Sequence, residues 1–280
     1  MIRYLAQGGL GNQLFVLAEA FNAQKFSEEK IVVSVPRKRI DSILDLNLSS
    51  PIKIRVAPLD DIAYQFVSNL SHKIPNSNLS KFLTKKVSIA TQVDSRFDIG
   101  DLKQAKISVG FFQDYRTVED SWEQMKPILE TKFLTLLPKI LRVTGVRDFS
   151  MIHIRRGDYE KNRGTYGILS LEYYTRIIPK LEYPIVISTD DQKYILKLQH
   201  QFPNALVVGP NQLTAWESLA LMAAAQEVVA ANSTLSWWAA YYVVKSGRTS
   251  YLPEPWFKRI DSQGPNLFFP GVLKNESQFE

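Results

Sequence analysis

The chain has 280 residues, 45% of them hydrophobic, enough for one large domain or for two of about 140 residues with their own cores. It contains no cysteine, which excludes disulfides and thiolate metal sites and gives no sign of an oxidising compartment. A net charge of +6 and a pI near 9.3 favour anionic partners such as nucleotides, acidic glycolipid surfaces or nucleic acid.

The opening run "IRYLA" is expected to form a strand, and it leads directly into "GGLGNQLF" at 8–15. Gly8, Gly9 and Gly11 permit backbone angles and close approaches that a Cβ would resist. Strand, glycine loop and helix in succession occur in nucleotide-binding units, but the spacing matches neither the dinucleotide fingerprint nor a P-loop. On this stretch alone, ligand contact and a plain strand-to-helix connection both stay open. The N-terminus lacks the long apolar core of a signal peptide, which predicts a cytoplasmic protein.

Further β-like runs follow at 30–35, 52–57 and 106–112. The basic groups Arg37-Lys38-Arg39 and Lys85-Lys86 carry no recognition motif, so nucleic acid is not expected as a partner. Residues 118–142 read as a long amphipathic helix with Asp120 or Ser121 as cap and with Pro127 and Pro138 as breaks or fresh starts. A boundary near 143–147 divides the chain into 1–143 and 144–280. The second half alternates nearly continuous apolar runs, "FSMIHI", "PIVIST", "NALVVG" and "QEVVAA", with helical stretches at 171–181 and 214–225. That alternation predicts an α/β fold with parallel sheets buried on both faces. The uncharged stretch from Val228 to Val244 is short for a membrane span and carries Asn232, Ser233, Thr234 and Ser236, so it reads as a buried strand followed by a buried helix.

In open α/β sheets ligands bind beyond the carboxyl ends of the strands, and the residues there are chemically loaded. Arg155 and Arg156 offer forked donors to a diphosphate, or they pair with Asp158 and Glu160 to fix a loop. His153 reads as a hydrogen-bonded core residue or a catalyst. His72 and His200 are isolated, so no histidine pair has metal-ligand spacing. Asp190 and Asp191 read as a carboxylate pair for acid/base chemistry, a metal site, or polar contacts to ribose and neighbouring arginines; adjacent residues at a strand end point different ways, which argues against a cooperating dyad, and one of them can instead cap the helix from Gln192. Asn232, Ser233 and Thr234 open a helix whose N-terminus suits phosphate oxygens. Glu217 starts the preceding helix, where an acid meets the macrodipole or accepts from a guanine.

Together "GGLGNQLF", "HIRRGDY" (153–159), "STDD" (188–191) and "ANSTLSWWAAY" (231–241) resemble, in order and spacing, the α-1,2-fucosyltransferases and more distantly the α-1,6- and protein O-fucosyltransferases. Residues 40–105 carry no matching motif, and Leu235 stands where an aromatic is common. The resemblance implies a GT-B architecture of two Rossmann-like domains facing across a cleft, with 1–143 on the acceptor side and 144–280 binding GDP-fucose. It implies inverting transfer of L-fucose from GDP-β-L-fucose to the 2-hydroxyl of a terminal β-galactoside, with no cofactor and no divalent metal. The partners are then GDP-fucose and a galactose-terminated glycan, with peripheral contact to membrane glycolipid at the inner membrane face compatible with the charge. Site residues carried over are Arg155 on the departing diphosphate, with Ser233 and Thr234 assisting, and Arg156 and Asp158 supporting the loop. Gly9, Gly11 and Asn12 lie at the fucose or reaction centre, Asp190, Asp191 and Asn232 at the nucleotide, and Glu217 at guanine. The candidates for base are His153, Asp158 and Glu160.

Overall fold

The computed structural model describes residues 1–36, 41–48, 50–59, 61, 89–92, 107–259 and 266–280. The basic groups at 37–39 and 85–86, and His72, lie outside them. The chain divides into two compact units, Met1–Leu129 with Pro265–Leu267, and Glu130–Gly264 with Phe268–Glu280. The division falls inside a helix, the later part of which packs within the second unit: Phe133 meets Tyr242 edge to face at 5.1 Å.

In the first unit, β1 (Ile2–Leu5), β2 (Ile31–Val35), β3 (Lys53–Val56), β4 (Ile89–Gln92) and β5 (Ile107–Gly110) form one sheet in the order β3-β2-β1-β5-β4, every pairing parallel. All residues of β2, "IVVSV", are buried, as expected of a parallel strand covered on both faces. Helix α1 (Leu10–Phe26) follows the glycine loop and is buried almost all round, so it shows little amphipathic contrast. The side chain of Asp61 has no exposed surface; it takes Arg3 Nη1 of β1 at 2.7 Å, Ser34 Oγ of β2 at 2.6 Å and Arg55 Nη2 of β3 at 2.9 Å.

Helix α2 (Tyr115–Thr144) begins earlier than the sequence pattern indicates and runs through both prolines. Its first turn is set by Asp114, whose Oδ1 accepts from the Arg116 backbone N–H at 2.8 Å; Ser121 instead bonds back to the Thr117 and Val118 carbonyls inside the helix.

In the second unit the sheet has six strands where the apolar runs marked four: β6 (Ser150–Ile154), β7 (Ile185–Thr189), β8 (Leu206–Val208), β9 (Glu227–Val229), β10 (Thr249–Glu254) and β11 (Leu273–Glu276). Their order is β11-β10-β9-β6-β7-β8, again all parallel. Helices α3 (Leu171–Thr175), α4 (Ile195–Gln201), α5 (Ala215–Ala224) and α6 (Thr234–Lys245) connect them. Ile152 of β6, Ile187 of β7 and Val229 of β9 are fully buried in one cluster with Tyr173 and Leu198, each such aliphatic side chain contributing about 1.5–3 kcal/mol. Trp237, Trp238 and Tyr241 of α6 are fully buried, and Trp237 stacks on Tyr241 at 5.1 Å. The uncharged stretch of 228–244 is thus strand and core helix, and among the described residues no helix is long and apolar enough to cross a membrane.

Candidate active site

The second sheet reverses direction between β6 and β9: β7 and β8 extend to one side, β9, β10 and β11 to the other. At such a switch point the connecting segments diverge and leave a crevice at the carboxyl ends of the two central strands. The loops that border it carry "RRGD" after β6 and "AANS" after β9.

The β6 loop is built on Asp190, which follows the neighbouring strand β7. Its Oδ1 accepts from the backbone N–H groups of Arg156 at 2.7 Å and Gly157 at 3.0 Å, and its Oδ2 lies 2.9 Å from Arg155 Nη1. A Cβ on Gly157 would stand 2.6 Å from Asp190 Oδ2, so this position admits only glycine without displacing the carboxylate.

The two arginines have separate fates. Arg155, with 29% of its side chain exposed, pairs with Asp158 at 2.6 Å as well as Asp190 and sits 5.5 Å from the centre of the Tyr159 ring. Its Nε is buried without a partner among the described residues, and a guanidinium with five N–H donors keeps further ones beyond those two ion pairs. Arg156 is buried and more heavily paired, although its Nε, like that of Arg155, has no hydrogen-bond partner among the described residues. It makes a two-pronged pair with Glu280 at 2.5 and 3.1 Å, meets Glu160 at 3.0 Å and Asp191 at 3.5 Å, and lies 4.1 Å over the Tyr194 ring. Burial works against its charge, but Glu280, with Tyr194 and Glu160 behind it, raises its pKa above the ordinary value.

Asp191 turns away from Asp190 and caps the turn at 192–194, accepting from the Lys193 N–H at 2.9 Å. His153 lies inside β6 and is 5% exposed, with Nδ1 unpartnered. Burial lowers its pKa to about 4; Asp190 opposes that shift and Arg155 adds to it, so the imidazole is neutral at pH 7.

On the β9 side, Asn232 is 1% exposed and donates through Nδ2 to the carbonyls of Tyr166 at 2.9 Å and Gly167 at 3.2 Å. Its own carbonyl accepts from the Tyr159 hydroxyl at 2.7 Å, so the β6 and β9 loops are tied directly. Ser233 is the N-cap of α6 but makes no side-chain cap bond, which leaves the first-turn N–H groups of α6 without that partner. A helix end of this kind suits phosphate oxygens.

Glu217 is occupied elsewhere. It forms a capping box with Thr214 at the start of α5 and accepts from Lys139 Nζ at 2.8 Å. Burial pushes its pKa up, but Lys139 and the Thr214 donors outweigh this and lower it. Among the described residues, none of its bonds reaches the β6 or β9 loop.

In the first unit the glycine loop leaves central strand β1, whose other neighbour, β5, marks that sheet's own reversal. Gly8 has φ +68°, and a Cβ there would lie 2.1 Å from Asn12 Nδ2. Gly9 caps α1 without a side-chain bond, and Gly11 is buried in its first turn. Gln13 locks the loop from below, donating to the Gly8 carbonyl at 3.2 Å and accepting from the Ile43 N–H at 3.1 Å. Asn12 Oδ1 accepts from Gln113 Nε2 at 3.1 Å.

Gln113 was not singled out from the sequence. The available signal was its place in "GFFQD", directly beyond a strand, where Phe112 holds φ +52°, an uncommon angle for a bulky residue and a frequent mark of functional loops. Glu280 carried no signal, since it pairs with a residue far away in the chain. Among the described residues no group of three or more His, Cys, Asp or Glu is arranged to hold a metal ion.

The family model described as Glycosyl transferase family 11 matches residues 1–254. The chain is 23% identical over 288 residues to the O-antigen biosynthesis glycosyltransferase WbnK of Escherichia coli, covering 89% of this chain and 93% of that protein. It is 24% identical over 276 residues to an alpha-1,2-colitosyltransferase of Escherichia coli, covering 90% and 91%. Among solved structures it resembles the NodZ α-1,6-fucosyltransferase of Bradyrhizobium soaked with GDP-fucose, with a TM-score of 0.50, 14% identity and coverage of 86% of this chain and 92% of that one. The fold is of the GT-B type, two Rossmann-like α/β units in one chain.

Proposed function

Because the chain belongs to glycosyl transferase family 11, we propose that this glycosyltransferase moves L-fucose from GDP-β-L-fucose to the 2-hydroxyl of a terminal β-galactoside, with inversion and without a divalent metal. One observation carries the reading: Arg155 keeps unpaired donors after β6 at the switch point, and the helix that follows β9 begins without a side-chain cap. In the reaction the acceptor oxygen attacks the anomeric carbon while the bond to GDP breaks, through a transition state of oxocarbenium character. Negative charge grows on the departing diphosphate. Arg155, Ser233, Thr234 and the first-turn N–H groups of α6 stabilise it, in the place a metal ion would take.

Within this proposal Arg156 and Asp190 shape the loop, Asp158 holds Arg155, and Asp191 and Asn232 fix the surrounding backbone. Asn12 contacts the fucose. A neutral His153 supports the site through packing; the acceptor proton leaves late, when the acceptor is already acidified, to Asp158, Glu160 or solvent. GDP-fucose and a galactose-terminated glycan are the partners. The net charge of +6 supports work on the cytoplasmic side, at the inner membrane face.

The named α-1,2-colitosyltransferase favours a second reading, a donor whose sugar is colitose, the 3-deoxy counterpart of fucose. Incubation with GDP-fucose and a panel of β-galactosides in EDTA, with mass and linkage analysis of the product, tests the first reading. An α-1,2-fucosylated galactoside is expected. Transfer only when a divalent ion is restored refutes the arginine account, and transfer only from GDP-colitose moves the assignment to the second donor.

A further inference from the structure

The second unit has another concavity at the opposite edge of its sheet. It is bounded by Phe149, directly before β6, and Arg248, directly before β10, whereas the candidate active site lies past the carboxyl ends of these strands. The groove has a volume of about 570 Å³, within the ~300–1,000 Å³ of small-molecule pockets. Its origin is local: Ala220, Ala223 and Ala224 recur on one face of α5, and such small side chains leave room under the larger ones of α2. Phe133, Leu134, Leu137 and Leu141 of α2 form the facing wall. Leu134 is 68% exposed and Leu137 38%, so the wall rises to an apolar rim.

The polar side chains that line it are Glu130, Arg147, Tyr242 and Arg248. Arg248 donates to the carbonyls of Ala223 at 2.9 Å and Ala225 at 2.5 Å and closes one end. Arg147 lines the same end, exposed, with no partner among the described residues, and Arg142 in the last turn of α2 is a second exposed guanidinium without one. Glu130 lies along the groove on the opposite stretch of α2. The alanine floor and leucine wall themselves present no side-chain hydrogen-bonding group, so a hydrocarbon chain laid along them leaves nothing unsatisfied.

We propose that this groove takes one hydrocarbon chain of an anionic membrane lipid, with the lipid phosphate at Arg147 and the exposed leucines entering the interface. An apolar slot, an apolar rim and the exposed, unpaired Arg147 match a chain with an anionic head. This holds whatever sugar the enzyme transfers.

The test is sedimentation of the full chain with phosphatidylcholine vesicles, with and without phosphatidylglycerol, alongside titration with dodecyl phosphate below its micellar concentration. The wild type is expected to bind the anionic vesicles and saturably bind dodecyl phosphate, and to leave pure phosphatidylcholine largely unbound. Ala224→Phe, which fills the slot and keeps every charge, should weaken dodecyl phosphate binding by about tenfold or more, since excluding two methylenes from the slot already removes that much, and should also weaken vesicle binding. Leu134→Glu, on an exposed site, serves as a second variant and should also lose vesicle binding. Ala224→Phe and Leu134→Glu that fold normally yet bind as wild type would show adsorption by charge alone and overturn the proposal. So would a groove occupied by a second copy, seen as a wild-type dimer that Leu134→Glu makes monomeric.

Discussion

Asp190 offers the sharpest test of how the candidate site is assembled. Replacing it by alanine removes the acceptor for two backbone N–H groups, at 2.7 and 3.0 Å, and one of the two carboxylates that hold Arg155. A hydrogen bond to a charged group contributes about 1.5–3 kcal/mol where water cannot replace it, which applies to the Arg156 N–H; the exposed Gly157 N–H adds less, and the partly exposed ion pair at most about 1 kcal/mol. The sum is about 3–4 kcal/mol, or a fall in Tm of about 6–12 °C for a protein of this size. Asn at the same position keeps an oxygen for both N–H groups and loses only the charge, so Asp190→Asn should cost about 1–2 kcal/mol. Thermal melts give the stability of each variant, and GDP release from GDP-fucose gives turnover. The expected order is wild type, Asn, Ala in stability, with both variants impaired in turnover because Arg155 is then held by Asp158 alone. Equal stability for all three, or a fully active Asp190→Ala, would refute the account of the loop.

Three further outcomes are expected. Arg155→Ala should fold and melt close to the wild type but lose turnover by a factor of about 10²–10³ or more, the cost of removing one charge-stabilising donor; near-normal turnover removes Arg155 from the mechanism. Gly8→Ala places a Cβ against Asn12 and forces a strained φ of +68°, so it should reduce turnover together with Asn12→Ala while GDP affinity, measured by calorimetry, is retained. Burial of His153 lowers its folded pKa to about 4, below the ordinary value of about 6.5, so the unfolded chain binds more protons between these values and stability must fall as pH drops from about 6.5 towards 4. The loss should approach about 1.4 kcal/mol per pH unit inside that window, and His153→Asn should flatten the acid limb of a Tm-against-pH curve.

The strands that surround the site were legible because parallel strands buried on both faces leave unbroken apolar runs, and "SMIHI" and "IVIST" could hardly be anything else. The loaded segments after them were legible for the same reason: the chemistry begins where the apolar run stops. What could not be read was the division of labour between neighbours. Arg155 and Arg156 are alike as letters, but Glu280, distant in the chain, neutralises only one of them. Glu217 looked available as an acceptor because its bond to Lys139 joins two helices far apart in sequence, although the Thr214 capping box was a local signal. The start of α2 was missed because Asp114, its cap, lies in a loop that itself reads as the tail of a strand. Strands β10 and β11 escaped notice because they carry polar and proline residues at a sheet margin, where alternation is weak.

The buried carboxylate of Asp61 has a bearing on how the first unit finds its alignment. Strands such as "IVVSV" are apolar on both faces, so sliding one past its neighbour changes the hydrophobic pattern little and leaves their alignment weakly encoded. Arg3, Ser34 and Arg55 sit on three successive strands and converge on one carboxylate, and only one alignment lets all three reach it. A shift of β1 by one residue would turn Arg3 to the other face and strand the charge of Asp61 in the interior. Asp61 therefore works as the key of a combination lock: it adds little selective pull to the collapse of the sheet, yet it decides where along β1 the glycine loop emerges.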